Sequence, residues 1–196
     1  MDLPSPARET SLPIVASMLW RRLDAFGHDA GRVERRGLQW LVCGVAAFRH
    51  ASGPASVEYS LFVDRDWRAS QGRVKGAIGE RQVDIRVARD EGGWRVNDAP
   101  VDGLAHLVDL DFGFTPATNF TQLQRVALPL GVSTPLPVAW LDLDSGGLAE
   151  LAQSYERRSE TELLYAAPAF AYEATLELAF NGFLRLYPGL WEEETA

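Results

Sequence analysis

The sequence predicts an α+β protein made mainly of antiparallel strands, a roll or barrel-like sheet with one helix at about residues 118–128. Three observations carry this. Apolar and polar residues alternate along several stretches, turn residues separate those stretches at short spacing, and a single stretch switches to helical spacing. The length of 196 residues fits one domain spanning 1–196, with residues 1–14 as a flexible N-terminal segment.

The strands come first because they are most of the chain. Val57, Tyr59, Leu61 and Val63 alternate with Glu58 and Ser60, and Val83, Ile85 and Val87 alternate with Asp84 and Arg86. Phe170, Tyr172, Ala174, Leu176, Leu178 and Phe180 alternate with Glu173, Thr175 and Glu177. Residues two apart in a strand point to one face, so each stretch has one apolar and one wetter surface, as in an antiparallel sheet packed on one side. Gly53-Pro54, Gly79-Glu80, Gly92-Gly93, Asn97-Asp98, Ser145-Gly146-Gly147 and Asn181-Gly182 mark the turns. Asn181-Gly182 is the strongest hairpin signal, since a type I′ turn needs positive φ at both central residues. Pro135 and Pro137 mark a loop ahead of a strand running from Val138 to Leu143.

The helix rests on Phe120, Leu123 and Ala127, with Gln122, Gln124 and Arg125 between them. Thr118 or Asn119 can accept a bond from a free amide of its first turn, and Pro129 stops it. A short helix in such a chain plugs one end of a barrel or lies inside a roll.

Composition excludes several function classes. A net charge of −8, with arginines scattered beside acids, argues against a nucleic-acid partner, which needs clustered cations. No apolar run reaches the ~18 residues of a membrane span and no secretion signal is visible, so the expectation is a cytoplasmic protein without a transmembrane segment. Cys43 is the sole cysteine and sits in an apolar run, as a core residue would. His28, His50 and His106 are isolated, so no metal site and no cofactor are expected. Neither a nucleophile elbow nor a phosphate-binding loop is present.

One acid pair stands out. Asp109 and Asp111 lie on one side of a strand, roughly 7 Å apart at Cα. That spacing falls within the range of the two carboxyls of an inverting glycosidase, yet inversion needs acids on opposite faces of the sugar. Capping the following helix or pairing with Arg125 is the simpler role. The aromatics are spread over nearly every strand and are mostly core, though Trp and Tyr, with one polar tip, also suit the wall of a cavity for an amphipathic ligand.

Residues 108–119 read Val-Asp-Leu-Asp-Phe-Gly-Phe-Thr-Pro-Ala-Thr-Asn. They resemble a D-x-D-L-x-x-T-P-x-T-N segment of the bacterial "putative glycolipid-binding" family. Trp20, Arg21, Arg22, Leu23 and Asp24 are similar to its opening W-R-R-L-D strand, and Asp66-Trp67-Arg68 and Gly93-Trp94 to two later pieces. Gln153, Tyr155 and Arg157 look like its Q-x-Y-x-R, and Tyr187-Pro188-Gly189-Leu190 like its closing Y-P-G-L. The pieces occur in order over residues 17–191. The chain departs from the family around Thr118 to Val126, where a Pro is lost and Gln124 replaces an Arg.

The resemblance implies a spiral β-roll wrapped around the helix, with an apolar interior. The expected function is non-catalytic binding of a lipid or glycolipid there, with Asp109, Asp111, Asn119 and Arg125 near the polar head group. Trp67, Trp94, Thr115, Thr118, Tyr155 and Tyr187 complete the expected ligand contacts. A sugar-directed hydrolase using Asp109 and Asp111, and a fully packed interaction module, are the alternatives.

Overall fold

The computed structural model describes residues 14–195. The expected flexible segment therefore falls outside the described residues, apart from Ile14, which opens the first strand. The chain begins with eight strands: β1 (Ile14–Arg22), β2 (Gly27–Arg36), β3 (Gln39–His50), β4 (Gly53–Val63), β5 (Ala69–Ile78), β6 (Arg81–Asp90), β7 (Gly93–Val96) and β8 (Ala99–Val101). The middle holds β9 (Leu110–Phe112), a 3-10 turn at Pro116–Thr118, α1 (Asn119–Arg125), β10 (Ser133–Pro135), β11 (Val138–Leu141) and β12 (Leu148–Leu151). The end supplies β13 (Ser154–Arg157), β14 (Glu162–Ala167), β15 (Tyr172–Leu178), β16 (Leu184–Tyr187) and β17 (Trp191–Glu193).

Fourteen strands form one antiparallel sheet in the order β10-β13-β14-β15-β16-β17-β1-β2-β3-β4-β5-β6-β7-β8, and β17 pairs with β1 to join the two ends of the chain. A second, three-stranded sheet runs β12-β11-β9, with β9 parallel to β11. The large sheet is open, not closed into a barrel. Its edge strands explain why: each has three residues and carries a proline, Pro100 in β8 and Pro135 in β10. Proline has no N–H to give a ladder, so both edges are poor templates for closure.

The alternation seen in the sequence is the alternation of burial. Val57, Tyr59, Leu61 and Val63 are buried, as are Val83, Ile85 and Val87. They face Leu110, Phe112 and Phe114, which fill the inside of the long hairpins. Two glycines make this possible. Gly31, Gly44 and Tyr59 sit in one cross-strand row, and a Cβ at either glycine would collide with the Tyr59 hydroxyl. A second apolar cluster, built on Leu151, Tyr155, Leu163, Tyr165 and Leu176, lies under β13 to β16. α1 bridges the two, with Phe120 in the first cluster and Leu123 against the second.

Five expectations need correction. The helix spans seven residues, not eleven: Val126 is already extended (φ −115°, ψ 121°), and Leu128, preceding Pro129, is biased away from the helical region. Neither Thr118 nor Asn119 caps it; Thr115 accepts from the Ala117 amide one turn earlier, while Thr118 Oγ1 accepts from the Phe112 amide. At Asn181-Gly182 only the glycine has positive φ, and the Ala179–Gly182 and Ala179–Phe183 bonds describe a type I turn followed by a bulge. The type I′ turn is Asn97-Asp98, with φ of 49° and 69°. Phe170 and Phe180 lie outside β15, and the loop before β11 contains β10. No helix among the described residues is long and apolar enough to cross a membrane.

Candidate ligand-binding cavity

The site is built where β9 meets α1. β9 pairs with β11, so its alternate residues face opposite ways. Leu110 and Phe112 point beneath Gly72, where a Cβ would leave no room for them. Asp109 and Asp111 point to α1, where Gln122 and Arg125, three residues apart, share one helical face. The Arg125 guanidinium grips both oxygens of Asp109, with Nε 3.0 Å from Oδ1. Gln122 Nε2 donates to Asp111 Oδ2 at 3.3 Å.

From Gln122 a buried network continues. Its Oε1 accepts from Gln153 Nε2 at 2.7 Å and from the Tyr155 hydroxyl at 3.4 Å. Asn119 Nδ2 donates to Tyr155 at 2.9 Å, and Tyr165 donates to Gln153 at 2.8 Å. A second network lies on the other side of Thr115. The Tyr59 hydroxyl donates to Asp29 at 3.0 Å, and Thr115 Oγ1 donates to the same carboxylate.

Between the two apolar clusters these networks floor a cavity of about 390 Å³. Asp111, Thr115 and Asn119 form the floor. Trp140, Tyr165, Phe170, Tyr172, Tyr187 and Trp191 form most of the wall, and Gly113 and Leu190 also line the cavity. Trp140 Nε1 lies so close to Gly113 that no side chain fits there. Tyr165 and Tyr187 meet edge to face at 5.4 Å, and Trp140 meets Phe170 likewise at 5.4 Å.

Burial governs the acids. Asp111 is pushed up to about 7 by loss of solvent, against the hydrogen bond from Gln122, and the charge of Asp109 adds to the rise. Asp29 is raised to about 7 by the same desolvation, opposed by the bonds from Thr115 and Tyr59 and by the charge of Arg22. The tyrosines 155, 165 and 187 are all raised by burial and stay protonated. No group of acids, histidines and cysteine among the described residues is arranged to hold a metal ion.

Of the expected contacts, Asp111, Thr115, Asn119 and Tyr187 line the cavity, and Tyr155 stands directly behind Asn119. The others do not line it. Trp94 is buried in the first cluster with its indole N–H on the Leu107 carbonyl. Trp67 stacks on Trp40 at 4.8 Å and touches Phe120. Thr118 braces β9, and Asp109 and Arg125 neutralise each other beside the floor. The first apolar cluster lies against the large sheet from β1 to β7. Sequence reading missed Asp29, Gln122, Gln153 and most of the wall. A signal for Asp29 existed: it shares strand parity with Gly31 and Val33, opposite the exposed His28, Ala30 and Arg32.

The family model described as "putative glycolipid-binding" matches residues 17–193. A crystal structure of a DUF1089 family protein from Pseudomonas aeruginosa has a similar fold, with a TM-score of 0.73 at 20% identity, covering 98% of this chain and 99% of that one. No curated protein gives a significant match. With the motifs in order and the family match spanning nearly the whole chain, the protein belongs to the "putative glycolipid-binding" family.

Proposed function

We propose that the protein binds a glycolipid without chemical conversion, taking the sugar-bearing head group into the cavity floored by Asp111, Thr115 and Asn119. The observation that carries this is the cavity itself: a polar floor at the base of an aromatic wall, in a volume of about 390 Å³. Ligand pockets commonly enclose roughly 300–1,000 Å³ with a few convergent polar groups. At the small end of that range the space suits a sugar, and the acyl chain would leave past Phe170, which is 55% exposed. Aromatic faces fit the C–H faces of a pyranose, while the floor meets its hydroxyls.

The placement of the acids favours binding over chemical conversion. Glycoside hydrolysis in its common form uses two carboxyls flanking the scissile bond. Among the acids of the described residues, Asp111 alone lines the cavity; Asp109 is held by Arg125, and Asp29 lies behind Thr115. Asp111, with no second acid across the cavity, then serves as a polar contact and not as one half of an acid–base pair.

Calorimetric titration with octyl β-D-glucopyranoside tests the reading, alongside Tyr172→Ala, which opens the wall at a half-buried position. Saturable binding weakened at least fivefold in the variant is the expected result. Binding unchanged by Tyr172→Ala, or none in either protein, overturns it.

A further inference from the structure

The proposed head-group site also constrains the charge of what it takes. Asp111 is only 7% exposed and lines the cavity, and its one side-chain partner is the neutral Gln122, on Oδ2. Its other oxygen has no side-chain donor among the described residues. Among the described residues no Lys, Arg or His lines the cavity to offset a negative Asp111. The cation nearest in the network, Arg125, is committed to Asp109.

The remaining polar atoms point the same way. Thr115 spends its hydroxyl proton on Asp29 and one lone pair on the Ala117 amide, so it has no donor left for a ligand. Asn119 turns its amide nitrogen to Tyr155, leaving its carbonyl oxygen. Tyr165 donates to Gln153, Tyr172 to the Pro188 carbonyl at 2.6 Å, and Tyr187 bonds to Tyr165. The floor therefore offers acceptors. A phosphate, sulfate or carboxylate would meet an uncompensated acid. A cation would meet that acid together with electron-rich ring faces, the arrangement that aromatic cages use for ammonium groups.

We propose that the head group recognised by this cavity carries a cationic ammonium group, as an amino sugar does, seated against Asp111 and enclosed by Trp140, Phe170, Tyr172 and Tyr187. The inference rests on the head-group reading above and narrows it from sugars in general to amine-bearing ones. Burial holds Asp111 near 7, so its negative charge is present above that pH and lost below it. The titratable groups facing it are Asp109, paired with Arg125, and the tyrosines 155, 165 and 187.

The test compares three probes by calorimetry: the octyl glycoside of 2-amino-2-deoxyglucose, octyl β-D-glucopyranoside and octyltrimethylammonium. The amino glycoside is expected to bind at least tenfold more tightly than the glucoside at neutral pH. Asp111→Asn, close in shape, should bring the two within threefold of each other. In the wild-type protein, which needs no variant to fold, octyltrimethylammonium should bind more tightly at pH 8 than at pH 6. Equal or tighter binding of the neutral glucoside overturns the ammonium inference and leaves the sugar reading standing. Binding of octyltrimethylammonium with neither glycoside overturns the sugar reading and keeps the ammonium site. No binding of any probe overturns both.

Discussion

Removing Arg125 should expose how much of this site is held together by one buried ion pair. The Asp109 side chain has no solvent exposure and Arg125 has 21%, and the guanidinium contacts both carboxylate oxygens. Deleting one partner of a buried pair typically costs about 3–5 kcal/mol, because the other charge is left unpaired. Water reaches the space Arg125 would vacate, which puts Arg125→Ala at the low end, about 3 kcal/mol. Alanine's better helix propensity and the lost favourable charge at the last turn of α1 are each worth less than ~1 kcal/mol and oppose one another. Against a domain stability of roughly 5–15 kcal/mol the loss is large. Urea unfolding followed by circular dichroism should give a lower midpoint with an unchanged slope. The double variant Asp109→Leu/Arg125→Met removes both charges and should recover most of the loss, since apolar replacement of a buried pair is often neutral. A cost below about 1 kcal/mol for Arg125→Ala, the range of exposed pairs, would refute the buried-pair argument. So would a double variant as unstable as the single one.

Two further expectations follow from the buried acids and from Trp67. Asp29 and Asp111 hold their protons to about pH 7, whereas an unfolded Asp releases its proton near 3.8. Between those values the folded state binds more protons, so these two groups make stability fall as pH rises and level off above 7. Glu34, Asp84 and Asp142 are held below their usual values, act with the opposite sign, and do so only below about pH 4.5. Calorimetric melting should therefore show a smaller drop from pH 5 to pH 8 in Asp29→Asn than in the wild-type protein; equal drops would refute the assignment. Trp67→Ala should destabilise the fold by about 1–3 kcal/mol through the lost stack on Trp40 and edge contact with Phe120, since alanine's Cβ retains the strain of the left-handed backbone (φ 62°). It should leave octyl glycoside binding within twofold, and a larger loss would make Trp67 a ligand contact after all.

The fold was legible where the chain alternates and opaque where backbone geometry decides. Val57, Tyr59, Leu61 and Val63 announce β4 because one face of the strand is dry. The same rule failed at Phe170 and Phe180: alternation persists there, but the chain leaves the sheet, and Phe180 ends fully exposed at a hairpin tip. Asn181-Gly182 and Asn97-Asp98 look alike as turn signals, yet five residues separate β15 from β16 where two separate β7 from β8, and a bulged turn replaces the two-residue I′ turn. Openness of the sheet depended on which strands became edges, and only then did Pro100 and Pro135 acquire meaning.

The site shows a different limit. Asp109 and Asp111 look equivalent in sequence, two acids on one strand face. The structure separates them through α1, because a helix turn sets Arg125 opposite one and Gln122 opposite the other. One acid becomes half of a neutral pair. Its neighbour, given only an amide, keeps a proton to about pH 7 and an unoccupied oxygen at the cavity. That asymmetry is written in the three-residue step from Gln122 to Arg125, legible only once the helix and its register against β9 are known. Asp29 teaches the same from the other side, since its partners Tyr59 and Thr115 are 30 and 86 residues away. The chemistry of the cavity thus follows from which neutral or charged partner the fold assigns to each acid. It follows that Gln122→Arg, by supplying Asp111 with a cation of its own, should be the substitution most damaging to any ammonium-bearing ligand.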